Sequence, residues 1–179
     1  MTTEFRIRPT EEADLTAVTA IYDEAVRNGI ASYEIEPPSL EEMGRRWREL
    51  AARNYPHLVA VHDGAVLGYA YAGPYRPRPA YRYSVEDSIY VAPDSQGRGI
   101  GRALLVELIA ISERLGFRQM IAVIGGGTEH PASVGLHRAL GFRQIGVIEA
   151  SGFKHGRWLD TVLMQRPLGP GKTTLPEGR

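Results

Sequence analysis

The chain has 179 residues, 43% of them hydrophobic and 23% charged, which is the size and composition of one folded domain with a sizeable core. Lys+Arg and Asp+Glu are both 21, so the formal net charge is zero, and a polyanion-binding protein is disfavoured. No cysteine is present, which excludes disulfides, thiolate metal sites and a cysteine nucleophile.

The N-terminal run MTTEFRIRPTEEADL is charged where a signal peptide needs an apolar core. No window approaches the ~20 apolar residues of a membrane span. A soluble, cytoplasmic protein is expected, with neither nucleic acid nor membrane as partner.

Phe5 to Arg8 alternates apolar and charged residues, as a short strand does, and Pro9 closes it. Thr10 followed by Glu11 and Glu12 offers a helix start, and Leu15, Val18, Ile21, Tyr22, Ala25 and Val26 recur at helical spacing up to Asn28-Gly29. Ser39 with Glu42 makes an S-x-x-E capping box for a second helix reaching about Arg53. His57 to His62 and Ala65 to Gly73 read as a hairpin around the Asp63-Gly64 turn. Pro74 to Tyr83 reads as a loop and Val85 to Val91 as a strand.

A glycine-rich turn, Gln96 to Gly101, leads into an amphipathic helix from Arg102 to Leu115, ended by Gly116. Phe117 to Ile124 is a strand, His130 to Leu140 a short helix, and strands at about 142–150 and 157–166 complete the series. The order β-α-α-β-β-β-α-β-α-β-β predicts an α/β fold with a single mixed, mostly antiparallel twisted sheet flanked by helices. Residues 1–167 form that one domain, and the Pro- and Gly-rich tail at 168–179 is expected to be disordered.

The strongest chemical signal is the turn after the Val85 to Val91 strand. Gly97, Gly99 and Gly101 let backbone N–H groups turn inward, and the helix that follows adds positive charge at its N-terminus. The combination suits a pyrophosphate, with Arg98 and Arg102 available for outer charge. A plain glycine-rich turn would look the same in composition. Two other phosphate loops fail: a dinucleotide fingerprint needs glycine at position 104, which is Leu, and a P-loop ending at Gly171-Lys172-Thr173 needs glycine where Arg166 stands.

Arg76 and Arg78 are two apart, so in an extended segment both project from one face and suit a carboxylate. A solvated arginine pair is the ordinary alternative, but Pro77 and Pro79 stiffen the loop and favour binding. Glu86 is an unexpected carboxylate in a strand-forming run and could accept a proton from an attacking amine, with a surface glutamate on a half-exposed strand as the ordinary alternative; Asp87 beside it points to the opposite face. The histidines at 57, 62, 130, 137 and 155 lack metal-ligand spacing, so no metal is expected. Lys154 and Lys172 are the only lysines, which gives a Schiff-base mechanism little support.

The pattern Gln96-x-x-Gly99-x-Gly101 resembles the acyl-CoA signature of the GNAT N-acetyltransferase superfamily, and the order of elements agrees from about residue 5 to 167. The segments Ser32 to Pro38, Arg76 to Tyr81, Val85 to Val91 and Gly152 to Trp158 resemble the phosphinothricin and methionine sulfoximine acetyltransferase branch. The resemblance implies the GNAT fold and acetyl-CoA as co-substrate. It further implies direct acetyl transfer to the α-amine of a small glutamate-like amino acid: phosphinothricin, methionine sulfoximine or methionine sulfone. Glu86 would be the base, and Tyr33, Arg76 and Arg78 would join it in binding the acceptor. Ile89, Tyr90 and Val91 would contact the cofactor through the backbone, and Gln96 to Arg102, including Ile100, would hold the pyrophosphate.

Ser133 would also touch CoA, as would His130, which stands where the branch usually has asparagine. His137 occupies the place where many members keep a tyrosine that protonates the departing thiolate; a helix-packing histidine is the alternative. A homodimer is implied as well. Two other classes stay open: acetylation of a polyamine, an aminoglycoside or a protein N-terminus, and a CoA-binding sensor without turnover.

Overall fold

The computed structural model describes residues 4–176. The strands and helices follow in the predicted order: β1 (Arg6–Pro9), α1 (Leu15–Asn28), α2 (Leu40–Ala52), β2 (His57–His62), β3 (Ala65–Pro74), β4 (Ser84–Val91), α3 (Ile100–Arg114), β5 (Gln119–Gly125), α4 (Pro131–Ala139), β6 (Arg143–Lys154) and β7 (Arg157–Pro167). They build one 7-stranded sheet in the order β1-β2-β3-β4-β5-β7-β6. All neighbours are antiparallel except β4 and β5.

Local chemistry explains the boundaries. Asp63 (φ 47°) and Gly64 (φ 80°) both take left-handed backbone, the conformation a two-residue hairpin turn demands, and His155 (φ 50°) with Gly156 (φ 74°) repeats it between β6 and β7. Ser39 caps α2 by accepting from the Glu42 N–H at 3.2 Å. The capping box is only half formed, because the Glu42 carboxylate goes instead to Arg45 and Arg46 at 2.8 Å. Charge-assisted bonds to two guanidinium groups outweigh one to a backbone N–H.

The sheet carries a core on each face. Alternation along β3 and β4 sends Tyr69, Tyr71, Glu86, Ser88 and Tyr90 to the face under α1 and α2, where Val18, Tyr22, Val26 and Met43 pack. Val85, Ala70 and Ala72 face the other way, onto Ile100, Leu104, Leu105 and Leu108 of α3. The active-site candidates therefore divide between two faces of one strand.

The tail departs from expectation. Leu168 is fully buried in the α3-side core, and Arg118 donates to the carbonyls of Gly171 and Leu175 and to the Thr174 hydroxyl at 3.0–3.2 Å. Residues 168–175 are thus fastened to the domain by contacts from a distant strand end, which composition could not reveal. Residues 177–179 lie outside the described residues.

Candidate active site

The parallel ladder between β4 and β5 stops early. It runs from Ser84 opposite Gln119 to Asp87 opposite Ala122, although both strands continue beyond those pairs. Past this fork the strands diverge around a cleft of about 340 Å³, with Ile89, Tyr90 and Val91 on one side and Ala122, Val123 and Ile124 on the other. A strand edge with unused backbone donors and acceptors can take an amide-bearing ligand as an extra strand.

The glycine loop closes one end of this cleft. Gln96, Gly97, Gly99, Ile100 and Gly101 line it, as do His130 and Ser133 at the start of α4. Gly97 (φ 74°) and Gly99 (φ 80°) are left-handed, and a Cβ on either would meet nothing within 4 Å. Backbone N–H groups there, together with the N-terminus of α3, form a fitting cradle for a pyrophosphate. Gln96 itself donates to the Val91 carbonyl at 3.4 Å, tying the loop to the strand it leaves. Arg98 and Arg102 are exposed beside the loop, outside the cleft wall.

On the α1–α2 side of β4 lies a second cleft of about 350 Å³, and Glu86 and Ser88 line it. Ser88 also lines the first cleft, so the two meet there. Burial raises the Glu86 carboxyl pKa to about 7; the neighbouring charge of Asp87 adds to the rise and Arg76 opposes it. A carboxylate poised near neutrality in the wall of the second cleft, two residues from the shared Ser88, has the properties of a general base.

His137 sits on the opposite face of β4, buried in the wall of the first cleft. Its Nε2 lies 2.9 Å from Asp87 Oδ2 and its Nδ1 lies 2.7 Å from the Ser133 carbonyl oxygen. Burial alone would lower its pKa, but the hydrogen bond and charge of Asp87, helped by Ser133, turn the shift upward. Both neighbours are oxygens, so the imidazolium form, which the raised pKa favours, donates from both nitrogens. In this arrangement no N–H of His137 is free for a leaving group, and the expected acid role requires giving up the bond to Asp87.

Residues 18–142, more than half of the chain, match the acetyltransferase (GNAT) family. The chain belongs to that family. A phosphinothricin N-acetyltransferase from Alcaligenes faecalis is 54% identical over 171 residues, covering 96% of this chain and 86% of the relative. An L-methionine sulfoximine/L-methionine sulfone acetyltransferase from Pseudomonas aeruginosa is 41% identical over 168 residues, covering 93% and 96%. Among solved structures, a GNAT superfamily phosphinothricin acetyltransferase from Sinorhizobium meliloti, crystallised with AcCoA, superposes with a TM-score of 0.95. It is 55% identical and covers 99% of this chain and 94% of that one.

Within this GNAT fold the expected acceptor residues fall in different places. Arg76 and Arg78 are exposed on the loop after β3, outside the wall of the second cleft, although the charge of Arg76 reaches Glu86. Tyr33 lines neither cleft. Its hydroxyl lies 2.9 Å from Thr161 Oγ1 and 3.2 Å from the Asp160 carbonyl, and accepts from the Gly126 N–H at 3.3 Å. A Cβ added to Gly125 or Gly152 would come within 2.9 Å or 2.6 Å of the Tyr33 ring, so those glycines make its seat. The tyrosine clasps the α1–α2 loop to β5 and β7.

Sequence reasoning missed the contribution of α2 and its C-cap to the second cleft: Met43, Arg46, Trp47 and Leu50 of the helix, and Arg53 just after it. It also missed His57, which stacks 5.4 Å from Tyr71 and is pushed by burial to a pKa of about 4. The available signal was weak. Trp47 among charged residues on α2 is an exposed-looking aromatic that needed a cavity to explain it.

Proposed function

We propose that this acetyltransferase moves the acetyl group of acetyl-CoA to the α-amine of a small glutamate-like amino acid: phosphinothricin, methionine sulfoximine or methionine sulfone. The observation that carries the reading is the meeting of two clefts at Ser88, with the half-buried Glu86 facing the second. The names of the relatives support the acceptor class.

Acetyl-CoA supplies an acyl group activated as a thioester. Ile89, Tyr90 and Val91 hold the ligand along the free edge of β4, and Gln96 to Gly101, with His130 and Ser133, hold its phosphate end. Arg98 and Arg102 answer the outer charge, and Arg76 and Arg78 the acceptor carboxylate at the mouth. Glu86 takes the proton that the ammonium must lose before it can attack. Rate comes from proximity in the joined clefts and from that proton transfer. No cysteine intermediate is available, in keeping with direct transfer.

Steady-state thiol release with the L-isomers of these amino acids, and with spermidine as a cationic control, tests the proposal. Selective turnover of the amino acids is expected. Turnover of spermidine alone would overturn the acceptor assignment, and CoA binding without turnover of any amine would make the chain a sensor.

We further infer that the enzyme is cytoplasmic, where acetyl-CoA is available, and that it is a homodimer. Support for the dimer comes from the β6–β7 hairpin at the sheet edge, where Phe153 and Trp158 are 57% and 66% exposed and stack edge-to-face. Ile145, Val147 and Ile148 extend the exposed apolar surface along β6. Trp158→Glu is expected to convert a dimer to a monomer in light scattering, with the circular dichroism of the fold retained. An unchanged mass would place the interface elsewhere.

A further inference from the structure

An acceptor has a distal end as well as an amine and a carboxylate, and the second cleft contains chemistry for that end. Glu86 stands opposite Gly73 in the β3–β4 ladder, and a Cβ on Gly73 would lie 3.6 Å from Leu50 Cδ2 of α2. Arg53 follows Leu50 by one helical turn and lines the same cleft, as does His57 at the start of β2. An amino acid with its amine at Glu86 and its carboxylate toward Arg76 would have the rest of this cleft, which Trp47, Leu50 and Arg53 line, for its side chain. The wall there, with Trp47, Leu50 and Tyr71, is apolar enough to cover a methylene stem.

The two guanidinium groups in this wall are not equivalent. Arg46 bonds Glu34 at 2.7 Å and Glu42 at 2.8 Å, so its charge is already answered. Arg53 has no carboxylate within ion-pair distance among the described residues. It lies over the Tyr55 ring at 5.2 Å, a contact that orients a guanidinium without neutralising it. Glu49, the carboxylate lining the cleft nearest in sequence, pairs with Arg45 instead. His57 adds no charge at neutral pH, and its Nδ1 is hydrogen-bonded with the Thr10 hydroxyl at 2.7 Å.

We propose that Arg53 reads the charge at the distal end of the acceptor, favouring an anionic group such as a phosphinate over a neutral polar group such as a sulfone. The proposal rests on the reading of this cleft as the acceptor site. Phosphinothricin and methionine sulfone share an α-amine, a carboxylate and a tetrahedral end, and differ in whether that end is charged. An arginine without a carboxylate partner, exposed at the end of α2 where it lines the cleft, is the feature of the wall that separates them.

The test is the ratio of kcat/KM for L-phosphinothricin to kcat/KM for L-methionine sulfone in wild type, Arg53→Gln and Arg53→Lys. The glutamine variant is expected to lower the ratio about tenfold, mainly through the KM for phosphinothricin, and the lysine variant to retain most of it. Added salt should lower the wild-type ratio and leave that of Arg53→Gln nearly flat. A ratio unchanged in Arg53→Gln, or equal losses on both acceptors, would overturn the role of Arg53 while leaving the acceptor class standing. Turnover of neither amino acid by the wild type would overturn the acceptor reading and this inference with it.

Discussion

Replacing Glu86 with Gln is expected to lower kcat by roughly 10²–10³-fold near neutral pH, the range for loss of a positioned general base. Glutamine keeps the shape and one acceptor oxygen but cannot take a proton. With the carboxyl pKa of the free enzyme raised to about 7, first by burial and then by Asp87, wild-type kcat/KM should climb with an inflection at that pH. The variant should lack this inflection. Its deficit should also narrow at alkaline pH, where more of the acceptor amine is already free. A variant profile that keeps the inflection, or a deficit constant across the range, would remove Glu86 from the base role.

The same ionisation has a consequence for stability of the opposite sign. The folded carboxyl titrates near 7 and its ordinary value is 4.5, so between these the folded chain holds a proton the unfolded chain has lost. Stability from this group therefore falls as pH rises through that window. Glutamine escapes the penalty. Glu86→Gln should match the wild-type Tm near pH 5 and exceed it near pH 8 by a few degrees, about 1 kcal/mol once solvent screening of a partly exposed group is allowed for. A variant less stable than wild type at the higher pH would show that the carboxylate is held by favourable contacts.

The elements were legible because each boundary has its own turn chemistry: Asn28-Gly29, Ser39, Asp63-Gly64, Gly116 and Gly141 mark ends that depend on neighbours in sequence alone. Glu86 and the glycine loop were legible for a related reason, each being the wrong residue for a plain strand or helix start. What escaped was non-local. Arg46 and Arg53 look like a solvated helix face until α2 is seen to stand across β3 and β4. Tyr33 looks like a pocket wall until Gly125 and Gly152 are found beside its ring. Strand parity placed Asp87 opposite to Glu86, but the partner on that side, His137, lies 50 residues further on and on a separate helix.

That pair supplies the second large effect. Asp87→Ala should destabilise the protein by about 3 kcal/mol, because the buried His137 ring loses its partner and must give up its proton or stay charged without a counter-ion, and a chain of this length should then lose roughly 6–12 °C in Tm. His137→Phe should also be costly, since it leaves the Asp87 carboxylate buried with Oδ1 already lacking a partner. The double variant should recover much of the loss, giving a coupling of at least ~1.5 kcal/mol between the sites. Additive losses would mean that the pair contributes only packing. The sign with pH is fixed by the raised His137 pKa: the stabilisation is complete below the ordinary value of 6.5 and is lost as pH rises through the folded value. Asp87 opposite Ala122 is the last rung before β4 and β5 part, so the pair braces the fork where the first cleft opens. Asp87→Ala should accordingly raise the KM for acetyl-CoA more than it lowers kcat, whereas Glu86→Gln should do the reverse.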